Sequence, residues 1–384
     1  MTRTEQGVGR VTDYRVVVLG GYGNFGTVIV RRLRTIAGIR VWVAGRDLAK
    51  AEALAKETGS QAVRLDMNQA DLAERLRALG AQLVISTAGP FQNQDYRVAE
   101  ACIAAGAHYV DLADAREFVC AIGALDQAAQ AAGVLICGGA SSVPALSAAV
   151  IDSLLPRFSR LDAIWHGISS SEKTPGVSTL AAVLNYCGKP FQQWRDGAWQ
   201  AVYGWQDLSP HDFAAPLGRR WVGNCDIPDL QLFPARYPGV RSVRFSAGVS
   251  LRLTQFGTWL LSWLVRGGLL RSGVPLAGLL RRGAVLVEPL GDGLSGMFVR
   301  LQGLDHAGQA QTLCWELQAL HNDGPNIPCM AAVALARKLA AGTLATRGAL
   351  PCLGLLTLEE YLAELEGLAI SSELRVLPEA GVSV

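Results

Sequence analysis

The sequence predicts an α/β protein, a doubly wound parallel sheet followed by a second, α+β domain. Three observations predict it. Up to about residue 140, short β-branched runs alternate with stretches of helical apolar spacing, the rhythm of βαβ units. A glycine-rich loop, "GGYGNFG", lies between the first such run and the first helical stretch. After Val143 the rhythm breaks into a mixture of strands, turns and helices.

Taken in order, "RVVVLG" (15–20) is short, apolar and unpatterned, as a strand covered on both faces should be. Helical spacing runs over 24–36. "RVWVA" (40–44) reads as a second strand, and "LAKAEALAKET" (48–58) as a helix stopped by Gly59. "AVRL" (62–65), "QLVIS" (82–86), "YVDL" (109–112) and "VLIC" (134–137) complete the strands, with helices over 71–79, 96–105 and 125–132. Right-handed crossovers make this a doubly wound, Rossmann-type sheet. Beyond it, a helix over 145–155 leads into the strand "LDAIWHGIS". Residues 185–250 are rich in Gly, Pro and Trp and fit short strands and turns.

The apolar run "FGTWLLSWLVRGGLL" (256–270) is too short for a membrane span, and Arg266 interrupts it. It reads as a buried or amphipathic helix, the alternative being a helix that rests on lipid or covers a greasy substrate. "GMFVRLQGL" and "QTLCWELQAL" flank the turn "DHAG", a hairpin signal, and the chain ends in helices over 330–342 and 358–368. The expected division is a nucleotide-binding domain over 1–145, an α+β substrate and dimerisation domain over 146–325, and C-terminal helices over 326–384 that return to the first domain.

Half of the 384 residues are hydrophobic and 18% are charged, a globular composition. A net charge of +2 with mixed signs gives no field for nucleic acid. The first ten residues are polar, which argues against a secretory signal. Eight scattered cysteines form no C-x-x-C pair and no zinc spacing, so reduced thiols, no metal and a cytoplasmic location are expected. The expected partners are a small-molecule substrate and a second copy of the chain, paired through an edge of the second sheet.

Gly21-x-Gly23-x-x-Gly26 follows a strand and opens a helix. Glycines there allow a tight turn, backbone approach to a pyrophosphate and close packing of helix on strand. The phosphates then sit on free N–H groups at the positive end of the helix. At the end of the second strand, where an NAD site places an acid for the ribose 2′-OH, the chain reads Ala44-Gly45-Arg46. An acid would repel a 2′-phosphate, whereas Arg46 can pair with it. NADP(H) is therefore expected over NAD(H), with Gly45 leaving room for adenosine and Asp47 capping the next helix. Asp66 suits the adenine amino group or a helix cap. "STAGPF" brings Thr87, Ala88, Gly89 and Pro90 to the carboxyl edge of the sheet, beside the nicotinamide ribose.

Hydride transfer also needs a proton donor. No Ser-Tyr-Lys arrangement is evident, since Ala113 stands four residues after Tyr109. Asp111 and Asp114, in "VDLAD", are candidates at the sheet edge, with helix capping as their simpler role. His166 is the best-placed histidine of the second domain, though a lone His in an apolar strand is usually structural. Cys137 and Ser141 leave the sixth strand. The tryptophans and Arg219-Arg220 are a possible substrate wall, and Asp323 shapes a turn.

Together "VLGGYGNFG", "VAGRD", "STAGPFQ", "YVDLADAREFV" and "ASSVPALSAAVID" resemble the saccharopine dehydrogenase-like family of NAD(P)-dependent oxidoreductases. The later segments "LGDGLSGMFVRLQG", "WELQALHNDGPNIP" and "RGALPCLGLLTLEEYLAEL" resemble its bacterial members. The resemblance implies that Gly21, Tyr22, Gly23, Asn24 and Phe25 line the pyrophosphate, Arg46 the 2′-phosphate, Asp66 the adenine, and Thr87 to Pro90 the nicotinamide end. "GGASSVP" departs from the acidic "LDPG"-like segment of members acting on saccharopine. Three functions follow as expectations. One is NADPH-dependent reduction of a C=N or C=O bond in a small metabolite. Another is reduction of an enoyl or keto group on a lipid-like or carrier-bound chain. The third is a non-catalytic nucleotide sensor or scaffold.

Overall fold

The computed structural model describes residues 13–171, 184–273, 278, 282 and 291–378; the polar N-terminal ten residues lie outside that set. The first sheet is assembled from β1 (Tyr14–Leu19), β2 (Ile39–Gly45), β3 (Gln61–Arg64), β4 (Leu83–Ser86), β5 (His108–Asp111) and β6 (Leu135–Gly138). A second, larger sheet takes β7 (Arg160–Ser170), β8 (Pro190–Arg195), β9 (Ala198–Tyr203), β10 (Ser209–Asp212), β11 (Arg219–Asn224), β12 (Ser242–Val249), β13 (Ser295–Leu304) and β14 (Ala310–Ala319). Two late strands divide between them. β15 (Gly348–Pro351) joins the first sheet and β16 (Ile370–Leu377) the second.

The first sheet has the order β15-β6-β5-β4-β1-β2-β3, and every pair in it is parallel. Outward from β1 the chain runs to β2 and β3 on one side and to β4, β5 and β6 on the other. The order therefore reverses at β1, and a crevice opens there at the carboxyl ends of the strands. Val16, Val17 and Val18 are 0% exposed, because helices cover both faces, which explains the unpatterned apolar run. The helix Asn24–Leu33 buries Ile29, Val30 and Leu33 at helical spacing. Its other neighbour is the helix Met330–Ala340, whose buried Ala331, Ala332, Ala334 and Ala336 permit close approach.

The second sheet is mixed. β7 pairs in parallel with β12 and antiparallel with β13, and β13–β14 form the hairpin that the turn signal predicts. Two expectations are corrected. The C-terminal segment supplies a strand to each sheet, where the sequence reading has helices alone. The apolar helix spans Arg252–Arg266, starting earlier and ending earlier than 256–270. Gly267 and Gly268, the latter at φ +76°, end it there.

Candidate active site

The glycine loop is shaped by contacts that leave no room for side chains. A Cβ on Gly26 would lie 2.3 Å from the Gly20 carbonyl oxygen and 2.7 Å from the Gly21 Cα. That is the close packing of helix on strand expected of the third glycine. Gly20 takes φ +79°, and the Gly23 N–H donates to the Gly20 carbonyl at 2.8 Å, which closes the turn. Gly23 is the N-cap of the helix Asn24–Leu33, and no side chain among the described residues caps it. The first N–H groups of that helix thus point out of the loop beside an exposed Asn24, as an anion site requires. Phe25 is turned away from this crest. It packs into the core, and its carbonyl accepts from the Cys329 thiol at 3.6 Å.

Tyr22 holds the adjoining wall. Its ring fills the space over Gly45, where a Cβ would fall 2.4 Å from a ring carbon. Its hydroxyl accepts the Asp47 N–H at 3.0 Å. The room at Gly45 is therefore taken by Tyr22 rather than left for adenosine. Arg46 is exposed beyond this ring and has no hydrogen-bond or ion-pair partner among the described residues. Asp47 is turned the other way. Its carboxylate accepts from the Lys50 N–H at 3.2 Å and pairs with the Lys50 ammonium at 3.2 Å, and these hydrogen bonds lower its pKa. Asp66 does not cap a helix. Its Oδ1 accepts from Asn68 N–H at 3.0 Å in a turn, and the next helix begins later, at Leu72.

Across the crevice, Thr87 ties β4 to the loop. Its hydroxyl lies 3.1 Å from both the Leu19 and the Gly20 carbonyls. Ala88 and Pro90 offer carbonyls to the Gln94 amide at 2.9 and 2.6 Å, so the Ala88-Gly89-Pro90 backbone is held along the edge by its own next turn.

The three candidate proton carriers separate. Asp111 is 0% exposed, and its Oδ1 accepts from the N–H groups of Ala113 at 2.9 Å and Gly139 at 2.8 Å. Burial raises its pKa to about 6 against these two hydrogen bonds. It pins the loop after β6 to the end of β5 and does not reach the crevice. His166 is also 0% exposed, between the rings of Phe233 and Phe245, and burial lowers its pKa to about 3. Its Nε2 lies 3.7 Å from Asp229, in a closed core rather than in the cleft. Asp114 alone opens to solvent. Desolvation by its surroundings raises its pKa despite a hydrogen bond from Gln92 at 3.3 Å.

What faces Asp114 comes from the second sheet and its loops. Tyr186 and Cys225, whose hydroxyl and thiol are 2.9 Å apart, feel the Asp114 charge and have raised pKa values, chiefly through burial. Arg116 spans the gap. It pairs with Asp226 and donates to the Gln192 carbonyl at 2.9 Å. The sequence reading missed Tyr186, Cys225 and Arg116. The third was at hand in "ADAREF", while the first two carry no local signal.

Other candidates are absorbed by structure. Arg219 pairs with Asp212 at 2.6 Å and Arg220 with Asp292 at 2.5 Å, so neither forms a substrate wall. Trp194 donates to the Val240 carbonyl at 3.0 Å, and Trp205 is buried. Cys137 and Ser141 are buried. Asp323 accepts the Ala369 N–H at 2.8 Å and so shapes a turn. His211, Cys314 and Glu316 place ligand-type atoms within 4.8 Å of one another, but Glu316 is already matched by Arg375, His211 and the Ala214 N–H.

Residues 16–137 match the model of the saccharopine dehydrogenase NADP binding domain. No curated protein sequence matches the chain. Among solved structures, the apo saccharopine dehydrogenase (L-Glu forming) of Saccharomyces cerevisiae is 16% identical, with a TM-score of 0.68, over 94% of this chain and 100% of that one. The homospermidine synthase of Legionella pneumophila, in complex with NAD, is 10% identical, with a TM-score of 0.58, over 94% and 91%. At these identities the two structures speak for the fold. Residues 16–137 are therefore similar to a saccharopine dehydrogenase NADP binding domain, and the chain as a whole shares the fold of these two structures.

Proposed function

We propose that the protein is an NADPH-dependent reductase of a C=N or C=O bond in a small metabolite. The observation that carries this reading is Asp114, an open carboxyl of raised pKa, with Tyr186 facing it across the cleft. It sits one strand away from the glycine loop's partner strand, at the edge where a nicotinamide would lie.

Gly21, Gly23 and Asn24 would hold NADPH, which when bound would supply the hydride. Arg46, exposed and unpaired among the described residues, would take the 2′-phosphate, and Tyr22 would wall the adenosine side. The Asp47 carboxylate pairs with Lys50 and, among the described residues, not with Arg46. Thr87 and Asp111 hold the loops after β1, β4 and β6 in register, which fixes the edge at which a substrate would be positioned. Asp114 donates the proton to the nitrogen or oxygen of the bond that is reduced. A carboxyl whose pKa is raised keeps its proton closer to neutral pH, which is the tuning general acid catalysis needs. The NAD of the homospermidine synthase structure is the counterweight to an NADPH preference.

One observation favours a second reading, reduction of an enoyl or keto group on a greasy chain. The helix Arg252–Arg266 closes over Cys187 and Gly188, next to Tyr186. NADPH oxidation against a panel of cyclic imines, ketones and enoyl thioesters tests both. Turnover is expected on an imine or ketone, and Asp114→Asn should reduce it by about 10²–10⁴-fold with the fold intact. Turnover on enoyl thioesters alone would favour the second reading. NADPH binding with no turnover on any of the panel would leave a sensor.

A further inference from the structure

We infer that the face of the helix Arg252–Arg266 is a docking surface for an anionic lipid bilayer. The helix is amphipathic in the opposite sense to a core helix. Its buried side carries Gln255 and Ser262, both 0% exposed, together with Leu261. The Gln255 side-chain oxygen accepts the Val249 N–H at 3.1 Å, and the Ser262 hydroxyl donates to the Trp259 carbonyl at 2.6 Å, which fixes this side of the helix against the protein. The large apolar side chains lie outside. Leu253 is 76% exposed, Phe256 39%, Leu260 56% and Trp263 44%. At 100° per residue these four fall within an arc of roughly 80°, a continuous stripe rather than scattered surface residues. Leu269, 76% exposed just past the helix, extends it.

Charge complementarity decides the occupant. From residue 251 to residue 287 the sequence holds five arginines and no aspartate or glutamate. Arg252 and Arg266 flank one side of the stripe. Arg266 is held there by the Gln206 side chain at 2.6 Å and by the ring of Tyr203, 3.8 Å beneath its guanidinium. Arg271 follows within one turn's length of Leu269 and is exposed. An apolar Trp/Leu face bordered by arginines suits the boundary between headgroups and acyl chains, with the cations at the anionic phosphates. No helix among the described residues is long and apolar enough to cross a membrane, so the contact is one of lying on the surface. The helix is anchored rather than free to insert alone. A Cβ on Gly188 would fall 2.3 Å from the Ser262 carbonyl oxygen, so the helix backbone sits directly on the segment that carries Tyr186.

Sedimentation with vesicles tests this. The full chain should pellet with vesicles containing phosphatidylglycerol and remain in solution with pure phosphatidylcholine. Leu253→Asp/Leu260→Asp should abolish pelleting. Arg252→Gln/Arg271→Gln should weaken it by about fivefold for each arginine removed, and both variants should keep their affinity for NADPH. Failure of the wild type to pellet, or pelleting that the Asp substitutions leave unchanged, would overturn the inference. So would analytical ultracentrifugation in which a lipid-free wild-type dimer becomes a monomer in Leu253→Asp/Leu260→Asp, since the stripe would then belong to a second copy. NADPH binding and turnover are read separately, so failure here leaves the proposed reaction untouched.

Discussion

At the scale of single residues, the buried carboxyls carry measurable consequences. Asp229 is 0% exposed, accepts the Ser147 hydroxyl at 2.5 Å, and has its pKa raised from 3.8 to about 7 by burial. Its folded form therefore holds a proton that the unfolded chain has already lost. The stability this contributes is fully present below about 3.8 and is lost as pH rises through about 7. His166 beside it has the opposite sign. With its pKa lowered to about 3, it costs stability as pH falls below the ordinary 6.5. Asp229→Asn keeps an acceptor for Ser147 and removes only the first effect. Relative to the wild type, the variant should gain stability as pH rises from about 4 to 7, read as the difference between the two thermal midpoints. Parallel pH curves would contradict this account of Asp229. The sequence singled out His166 because it is the one histidine of an apolar strand. That apolar surrounding is the reason it is sealed, stacked and neutral rather than catalytic.

At the scale of elements, the glycine loop was legible because its requirements are local. A strand, a turn and a helix within 20 residues of one another leave no choice at Gly26, and the structure shows backbone on two sides of it. Gly26→Ala should cost about 1–3 kcal/mol through forced displacement and weaken nucleotide binding with it. Gly257→Ala, in the helix Arg252–Arg266, meets nothing within 4 Å and should be neutral or slightly stabilising. Chemical denaturation of both variants checks the contrast, and equal losses would mean that the loop is not closely packed. Asp47 was likewise readable as a cap from its place before a helical run. The late strands were not. β15 is a four-residue element, and β16 is largely exposed with Ser371, Ser372 and Glu373 in it. What makes them strands is an open edge waiting on β6 and on β14, which no local pattern announces.

At the scale of the molecule, the chain reads as a nucleotide edge and a second sheet that close on one cleft, and only the first half was legible in sequence. Glycine spacing and the absence of an acid at Arg46 are contiguous signals. The wall opposite is assembled from Tyr186, Cys225 and Asp226 by the packing of the second sheet, and Arg116 bridges to it over a separation of 110 residues to Asp226, counted as 226 − 116. Residues that meet only through such packing leave no mark in spacing. The tryptophans mislead for the same reason, because bulk and ring edges there serve the sheet and its hydrogen bonds. The central claim is that the cleft is built for a phosphorylated dinucleotide, and it rests on one exposed guanidinium with no protein partner among the described residues. Calorimetric titration of NADPH and of NADH into the wild type and into Arg46→Ala tests it most directly. The account predicts that the wild type prefers NADPH and that the substitution raises the dissociation constant for NADPH by about 10–100-fold, as loss of a charge-assisted contact does, while leaving that for NADH unchanged. Equal loss for both nucleotides, or a wild type that prefers NADH, would contradict it.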